Sequence, residues 1–181
     1  FDSSIMSDQP PKKAPWTIDS ARDLYHIKRW GAGYFDINET GHVFAQPDPE
    51  QPLNVDIIKI VSEAKRRNLR FPLLIRFQDI LRHRVKVINQ AFKNAIEDCE
   101  YQGLYRGVFP IKVNQLREVV EEVLKAGKSY GFGLEVGSKP ELFAALALQT
   151  EPGSLLICNG YKDPSFIHMA LMGIKLGKKV I

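Results

Sequence analysis

A single lysine, Lys112, interrupts the short apolar segment GVFPIKVNQ at residues 107–115. Lysine is almost never fully buried unless it is paired, because moving an ammonium ion out of water is expensive. One interpretation is that the stem of Lys112 lies along apolar surface while its charged end reaches solvent. The other is a chemical role, since a desolvated lysine becomes a nucleophilic amine that forms Schiff bases with aldehydes. The residues alone leave both interpretations open.

Three further polar residues near a second apolar segment could take part in chemistry. Glu135 lies in GLEVGSKPEL at 133–142, either as an acid beside a reaction centre or as an exposed carboxylate at a strand end. Ser138 and Glu141 have the S-x-x-E spacing of a capping box, which satisfies amide groups where a helix begins. That local role does not exclude contact with a ligand.

Asn114, directly after Lys112 and Val113, can cap the helix that follows.

Strand-like and helical patterns alternate regularly around these residues. Successive strands begin about 22 to 25 residues apart, a spacing typical of βα units in a parallel sheet. The predicted strands are 108–113, 132–136, 154–159 and the start of a fourth at 178–181, with a helix after each of the first three and an Asp163-Pro164 start to the third helix. The chain is therefore predicted to be α/β and to contain about the first half of a (β/α)8 barrel of the TIM type.

Alternation along the strand 108–113 predicts where Lys112 points. Val108, Pro110 and Lys112 would share the face toward the barrel interior, while Phe109, Ile111 and Val113 face the helices. Lys112 would then lie at the C-terminal end of the strand, where barrel enzymes carry out their chemistry.

An open doubly wound sheet is the rival architecture. The glycine cluster GFGLEVG at 131–137 precedes a strand and runs through it, whereas a dinucleotide fingerprint turns from a strand into a helix. This spacing makes a dinucleotide-binding fold a weak alternative.

The upstream sequence predicts a different kind of structure. It contains a β-hairpin at 34–45, a linker at 46–52, a helix at 54–68, an apolar strand at 71–77, and a long helix capped by Asp79. The apolar face of that long helix is predicted to consist of Leu81, Val85, Ile88, Phe92, Ala95 and Ile96. The predicted organisation is a flexible tail at 1–15, a segment with the hairpin of a β-domain at 16–50, a helical lead-in at 51–105, and the barrel portion at 106–181.

Composition excludes several classes of function. The formal net charge is only +4, and the basic residues are scattered among acidic ones, so no nucleic-acid partner is expected. No apolar stretch is long enough for a membrane span or a secretory signal, which predicts an intracellular, cytoplasmic protein without a membrane partner. The cysteines are expected to be free buried thiols, and the histidines to be surface or packing residues: Cys99, Cys158, His26, His42, His83 and His168.

The motifs VFPIKVNQ, GLEVGSKPEL and LLICNGYKD resemble those of the fold type III pyridoxal-phosphate decarboxylases, whose barrel is like that of alanine racemase. The upstream stretches WTIDSARDLYHIKRWGAGYFDINETGHVFAQP and FPLLIRFQDILRHRV are similar to the biosynthetic arginine decarboxylases within that family. The resemblance extends from Trp16 to Ile181.

This resemblance implies a homo-oligomeric enzyme, a dimer or a higher oligomer. It would convert L-arginine to agmatine and carbon dioxide, on the route to putrescine and spermidine. Pyridoxal 5'-phosphate would be the cofactor, and magnesium (Mg2+) is a further implication of the family. Lys112 would form the internal aldimine and Glu135 would be the acid close to the cofactor. Ser138 and Glu141 are the other candidates for cofactor contact.

In the family, the phosphate-binding loop and the acid at the pyridine nitrogen follow the fourth strand. The chain is therefore expected to be an N-terminal portion that needs the remainder of the same polypeptide and is inactive alone. Three alternatives remain: a non-catalytic subunit or scaffold of a fold type III protein, a decarboxylase of another basic amino acid, and a relative that binds the cofactor without decarboxylating.

Overall fold

A computed structural model describes residues 15–148 and 151–181 of the 181-residue chain. Residues 1–14 of the predicted tail, and the predicted end of a helix at Gln149, lie outside the described residues. The chain divides into two compact units, Phe1–Leu73 and Leu74–Ile181. The boundary between the two units falls inside the segment 51–105, which is predicted from the sequence to be one helical lead-in to the barrel portion. Assignment of the first unit to a β-domain stays a prediction.

Among its described residues, the first unit contains an antiparallel sheet and three helices. Strand β1 pairs with β2, and β2 pairs with a third short strand, β3. The hairpin predicted at 34–45 is confirmed, while β3 was not anticipated. The elements are α1 (Ile18–Leu24), α2 (Ile27–Gly31), β1 (Phe35–Ile37), β2 (Val43–Ala45), β3 (Val55–Asp56) and α3 (Ile57–Arg66).

Asp56 joins the sheet of this unit to its last helix. Its carboxylate accepts from the amides of Ile58 at 2.8 Å and Lys59 at 3.4 Å, and so caps α3. The same carboxylate lies 2.9 Å from Nδ1 of His42. His42, expected to be a surface or packing residue, therefore has an acidic partner that is distant in sequence.

The apolar run at 71–77 does not form a strand. Pro72 cannot donate a backbone hydrogen bond, and a strand requires a neighbour with which to share its ladder. The long helix that follows is confirmed as α4 (Gln78–Asp98), but its cap is Phe77, and Asp79 lies in the first turn. The carboxylate of Asp79 instead pairs with Arg82 at 2.6 Å.

The predicted apolar face of α4 is only partly correct. Val85 is buried and Leu81 packs beside it, but Ile88 and Phe92 are exposed within this unit. The ring of Phe92 stacks on Tyr105 with 3.8 Å between centroids. The other buried residue of the helix is Asn89, whose amide donates to the carbonyl of Val85 at 2.7 Å.

The second unit is built on a parallel sheet with the order β4-β5-β6-β7. Each strand is next to its successor in sequence, and right-handed crossovers then place the intervening helices on one face, as in a barrel. The predicted α/β class with a parallel sheet is confirmed. The elements after α4 are β4 (Val108–Pro110), α5 (Arg117–Gly127), β5 (Gly133–Val136), α6 (Lys139–Leu148), β6 (Leu155–Cys158), α7 (Pro164–Lys175) and β7 (Lys179–Val180).

The main core lies between this sheet and its helices. Alternate strand residues point into it, because successive side chains of a strand face opposite sides. The buried members are Ile111, Val120, Leu134, Val136, Leu142, Ala145, Leu156, Cys158, Phe166 and Ala170, with Phe109 packed against them. Glu135 lies between two of these core residues in sequence, so its side chain belongs to the opposite face of the sheet.

Candidate functional site

Lys112 lies just beyond the C-terminal end of β4, in a short 3-10 turn that covers Ile111–Val113. The strand predicted over 108–113 therefore ends at Pro110, and simple alternation does not decide the direction of Lys112. Phe109 and Ile111 do face the helical core as expected, whereas Val113 lies in the turn and is exposed, so the prediction is wrong there. The side chain of Lys112 is 67% exposed, so its amine is accessible to a ligand.

Glu135 is the acidic partner of Lys112. Its neighbour across the sheet is Pro110, the last residue of β4. Nζ of Lys112 and Oε1 of Glu135 are 3.7 Å apart, and the glutamate side chain is only 19% exposed. The ion pair draws the lysine to the side of the sheet that faces away from the helices. The structure thus brings these two predicted site residues together by a turn rather than by strand alternation.

Ser138 and Glu141 form a modified capping arrangement at the start of α6. Oγ of Ser138 accepts from the amide of Glu141 at 3.4 Å, as a capping box requires. The carboxylate of Glu141 accepts from the amide of Gly137 at 2.6 Å instead of from that of Ser138. Its other oxygen accepts from Nε2 of Gln115 at 3.4 Å. Gln115 follows Lys112 by three residues, so these contacts link the loops after β4 and β5.

Asn114 does not cap α5, because Leu116 occupies the cap position. Oδ1 of Asn114 accepts from the amide of Leu116 at 3.1 Å, and this bond shapes the turn between Lys112 and the helix. An asparagine in such a turn competes for backbone donors as readily as one at a helix cap. The prediction was correct about the local role and wrong about the position.

The loop after β6 leads to a charged link between two helix starts. Asp163 caps α7 by accepting from the amide of Phe166 at 2.8 Å, as predicted. The ammonium of Lys139, in the first turn of α6, also donates to this carboxylate. The hydrogen bond from Lys139, followed by the one from Phe166, holds the pKa of Asp163 below its usual range. The carboxylate therefore stays charged and keeps both helix starts tied together.

Cys158 ends β6 and points into the core, where burial raises the pKa of its thiol. It is a free buried thiol, as expected. Cys99 follows α4 and is exposed, so the same expectation is wrong there. A residue directly after a helix end has few neighbours to cover it.

The described part of the chain contains neither a group of possible metal ligands nor a helix that could cross a membrane. Among residues 15–148 and 151–181, no group of three or more His, Cys, Asp or Glu is arranged to hold a metal ion. No helix within those residues is both long and apolar enough to cross a membrane. An apolar groove of about 750 Å³ lies between α6 and α7, but Lys112, Glu135, Ser138 and Glu141 do not line it.

The chain is similar to known proteins over most of its length. It is 48% identical over 166 residues to the biosynthetic arginine decarboxylase of Thermosynechococcus vestitus, an alignment that covers 92% of this chain and 26% of the relative. The corresponding protein of Gloeobacter violaceus is also 48% identical, over 162 residues, 90% of this chain and 25% of the relative. The chain thus spans about a quarter of the length of the curated relatives it matches.

A solved structure agrees with these sequence comparisons. The crystal structure of the biosynthetic arginine decarboxylase from Campylobacter jejuni superposes with a TM-score of 0.78 at 33% sequence identity. The match covers 86% of this chain and 25% of that one. The recognised resemblance and the predicted fold class are both confirmed.

A family profile matches residues 84–176, just over half of the chain, and its description is "Pyridoxal-dependent decarboxylase, pyridoxal binding domain". The matched range contains Lys112, Glu135 and Glu141. The chain belongs to the family of pyridoxal-dependent decarboxylases, through their pyridoxal binding domain.

Proposed function

We propose that this chain is part of a pyridoxal-phosphate-dependent enzyme that decarboxylates L-arginine to agmatine and carbon dioxide, and that Lys112 holds the cofactor covalently. One observation carries the proposal: within a pyridoxal binding domain, an accessible amine and a carboxylate meet at the C-terminal ends of adjacent parallel strands. That edge is where barrel enzymes place their reactive groups.

The residues at this edge of the sheet fit the aldehyde end of pyridoxal phosphate. A primary amine reacts with an aldehyde, and Lys112 offers its amine on a flexible stem that is two-thirds exposed. Glu135 supplies a neighbouring negative charge, with Oε1 3.7 Å from that amine. The amine and the carboxylate at this edge therefore suit a group that carries an aldehyde.

When bound, pyridoxal phosphate supplies an electron sink that accepts the electron pair left behind as the substrate carboxylate departs as carbon dioxide. Lys112 provides the attachment point and can take up or release a proton at Nζ. Glu135 holds that nitrogen on the side of the sheet away from the helices, because its carboxylate lies 3.7 Å from it. Ser138 fixes the start of α6, so that Glu141 keeps its position at the same edge.

Arginine is proposed as the substrate because the relatives that share 48% identity with this chain are biosynthetic arginine decarboxylases. The polyamine route to putrescine and spermidine follows from that proposal. Self-association and a requirement for magnesium rest on the resemblance, and a cytoplasmic location rests on the sequence pattern; all three stay predictions.

Replacing Lys112 by alanine in the complete protein tests the proposal. Decarboxylation of arginine should fall by at least about a thousandfold, or about 4 kcal/mol of barrier, because the attachment point and the proton carrier are lost together. Agmatine release is the measurement, with ornithine, lysine and diaminopimelate as competing substrates. A wild-type preference for one of these competitors would reassign the substrate.

The chain offers a matched control in Lys128. Its side chain is 66% exposed and pairs with Glu151 at 2.9 Å, so charge, exposure and partner resemble those of Lys112. Lys128 lies before β5, at the N-terminal edge of the sheet, and Lys128→Ala should retain wild-type activity. A folded Lys112→Ala protein with unchanged arginine decarboxylation would reject the catalytic assignment and favour a scaffold role.

A further inference from the structure

Gly160 lies where the loop after β6 touches the loop after β5. Its φ is +78°, in the left-handed region that favours glycine. A Cβ atom built on Gly160 would lie 2.3 Å from the carbonyl oxygen of Gly137, 3.0 Å from its carbonyl carbon and 3.2 Å from its Cα. Both the backbone conformation and the lack of space therefore require glycine here.

The two loops are also joined by hydrogen bonding. The amide of Asn159 donates to the carbonyl of Val136 at 2.8 Å, which extends the parallel pairing of β5 and β6 by one residue. Gly137 and Gly160 come next in their respective loops. Their close approach is consequently fixed by the sheet below them.

Gly137 in turn holds Glu141. Its amide donates to Oε2 of Glu141 at 2.6 Å, and Oε1 of the same carboxylate accepts from Gln115 at 3.4 Å. A displacement of Gly137 therefore moves the hydrogen-bond donor that orients Glu141.

We propose that Gly160 is a positioning residue of the cofactor site: its bare backbone lies against Gly137 and thereby holds the Glu141 carboxylate at the edge occupied by Lys112 and Glu135. This inference rests on the proposed function, in which that edge binds pyridoxal phosphate. Gly160 itself needs no contact with the cofactor, because its effect passes through Gly137.

A side chain at position 160 cannot be accommodated by a rotamer change, because the atom it would strike is a backbone oxygen. The two loops must move apart instead, by about an ångström, and a misplacement of that size at a reactive site can reduce function by about a hundredfold. The inference therefore predicts a loss of cofactor affinity from a change outside the cofactor contacts.

The test uses Gly160→Ala in the complete protein, with Gly153→Ala as the matched control. Gly153 has a φ of +81°, but a Cβ built there meets nothing within 4 Å. Both variants place an alanine at a similar positive φ, and only Gly160→Ala pushes on another loop. The dissociation constant of pyridoxal phosphate for the apoprotein, followed by the absorption of the bound cofactor, should rise by about tenfold or more in Gly160→Ala. It should change by less than about twofold in Gly153→Ala.

Two further measurements locate the effect. In the apoprotein, deuterium exchange at the Gly137 amide should be faster in Gly160→Ala than in Gly153→Ala, since the bond to Glu141 is disturbed. Glu141→Ala should also weaken cofactor binding, and adding Gly160→Ala to it should cost less than about twofold more, because neighbours acting through one contact are not additive. Glu141→Ala gives an answer even if Gly160→Ala does not fold.

Wild-type cofactor affinity in a folded Gly160→Ala protein would overturn the inference. Equal losses in Gly153→Ala and Gly160→Ala would overturn it as well, as would wild-type affinity in Glu141→Ala. The proposed function fails separately, if the wild-type protein does not carry the cofactor on Lys112. A wild-type protein labelled at Lys112 together with an unaffected Gly160→Ala variant would reject the positioning role alone.

Discussion

Lys112 and Lys128 show that position, not charge, distinguishes the candidate residue. Each is an exposed lysine with one glutamate partner, and their exposed fractions are 67% and 66%. Lys112 follows a parallel strand, whereas Lys128 precedes one. Only the first is at the edge where substituents from several strands converge.

The contribution of Glu135 to the reaction rate should depend on how strongly its carboxylate orients the ammonium group of Lys112. Glu135→Gln keeps the size of the side chain but removes the charge that draws the ammonium toward the strand end. We expect kcat/KM for arginine to fall by about tenfold to a hundredfold, as is usual when a reactive group loses its orientation.

The control for this prediction is Glu151→Gln, which removes the corresponding partner of Lys128. That variant should differ from wild type by less than about twofold. Equal activity of the Glu135→Gln protein and the wild type would show that the pair at 3.7 Å has no orienting role.

At the residue scale, sequence alone identified the residues with distinctive chemistry and missed those that act through backbone. Lys112 was recognisable because an ammonium in an apolar run is unusual. The close approach of Gly160 to Gly137 carried no signal, since it depends on a neighbouring loop. The pairing of His42 with Asp56 was equally hidden, because the two are brought together by the antiparallel sheet.

At the element scale, an ion pair joins α4 to α5. Nε of Arg82 donates to Oε1 of Glu122, whose side chain is 9% exposed, and Arg82 also contacts Asp79. The hydrogen bond from Arg82 lowers the pKa of Glu122 despite the opposing effect of burial. This pair fixes the helix that precedes the sheet against the helix that follows Lys112.

Glu122→Gln should destabilise the protein in a pH-dependent way. Because the folded-state pKa of Glu122 is lowered, its stabilising contribution is complete above the unfolded value of about 4.3 and is lost as the pH falls through the folded value. The variant should lose about 1 to 2 kcal/mol at pH 7, and its difference from wild type should shrink below about pH 4.

Urea unfolding of the complete protein at several pH values measures this effect. Glu118→Gln on the same helix is the control, since Glu118 is exposed in the first turn of α5. A difference between Glu122→Gln and wild type that stayed constant from pH 7 to acid would contradict the assigned role of the ion pair.

The elements themselves were predictable where their pattern is local. The spacing of βα units and the Asp163-Pro164 start of α7 are confirmed, because periodicity and capping depend on nearby residues. The strand predicted at 71–77 and the extension of β4 through Lys112 are wrong. Both segments have the apolar composition of a strand. A strand also needs a neighbouring strand with which to form backbone hydrogen bonds, and composition does not reveal whether one is present.

At the scale of the whole molecule, we propose that the chain contributes one side of the cofactor site. It spans about a quarter of the length of its relatives, and its residues account for the amine, the neighbouring carboxylate and the loops that hold them. The fold class could be predicted because the spacing of the strands repeats along the sequence. The family could be predicted because its motifs are long.

Covalent mapping of the cofactor would show directly whether Lys112 is its attachment point. The complete protein, loaded with pyridoxal phosphate, is reduced with borohydride and digested, and the labelled peptide is identified by mass spectrometry. The account predicts that the label is on Lys112, the lysine beside Glu135 at the strand end. A label on Lys139 or Lys162 instead, with Lys112 unmodified, would contradict it.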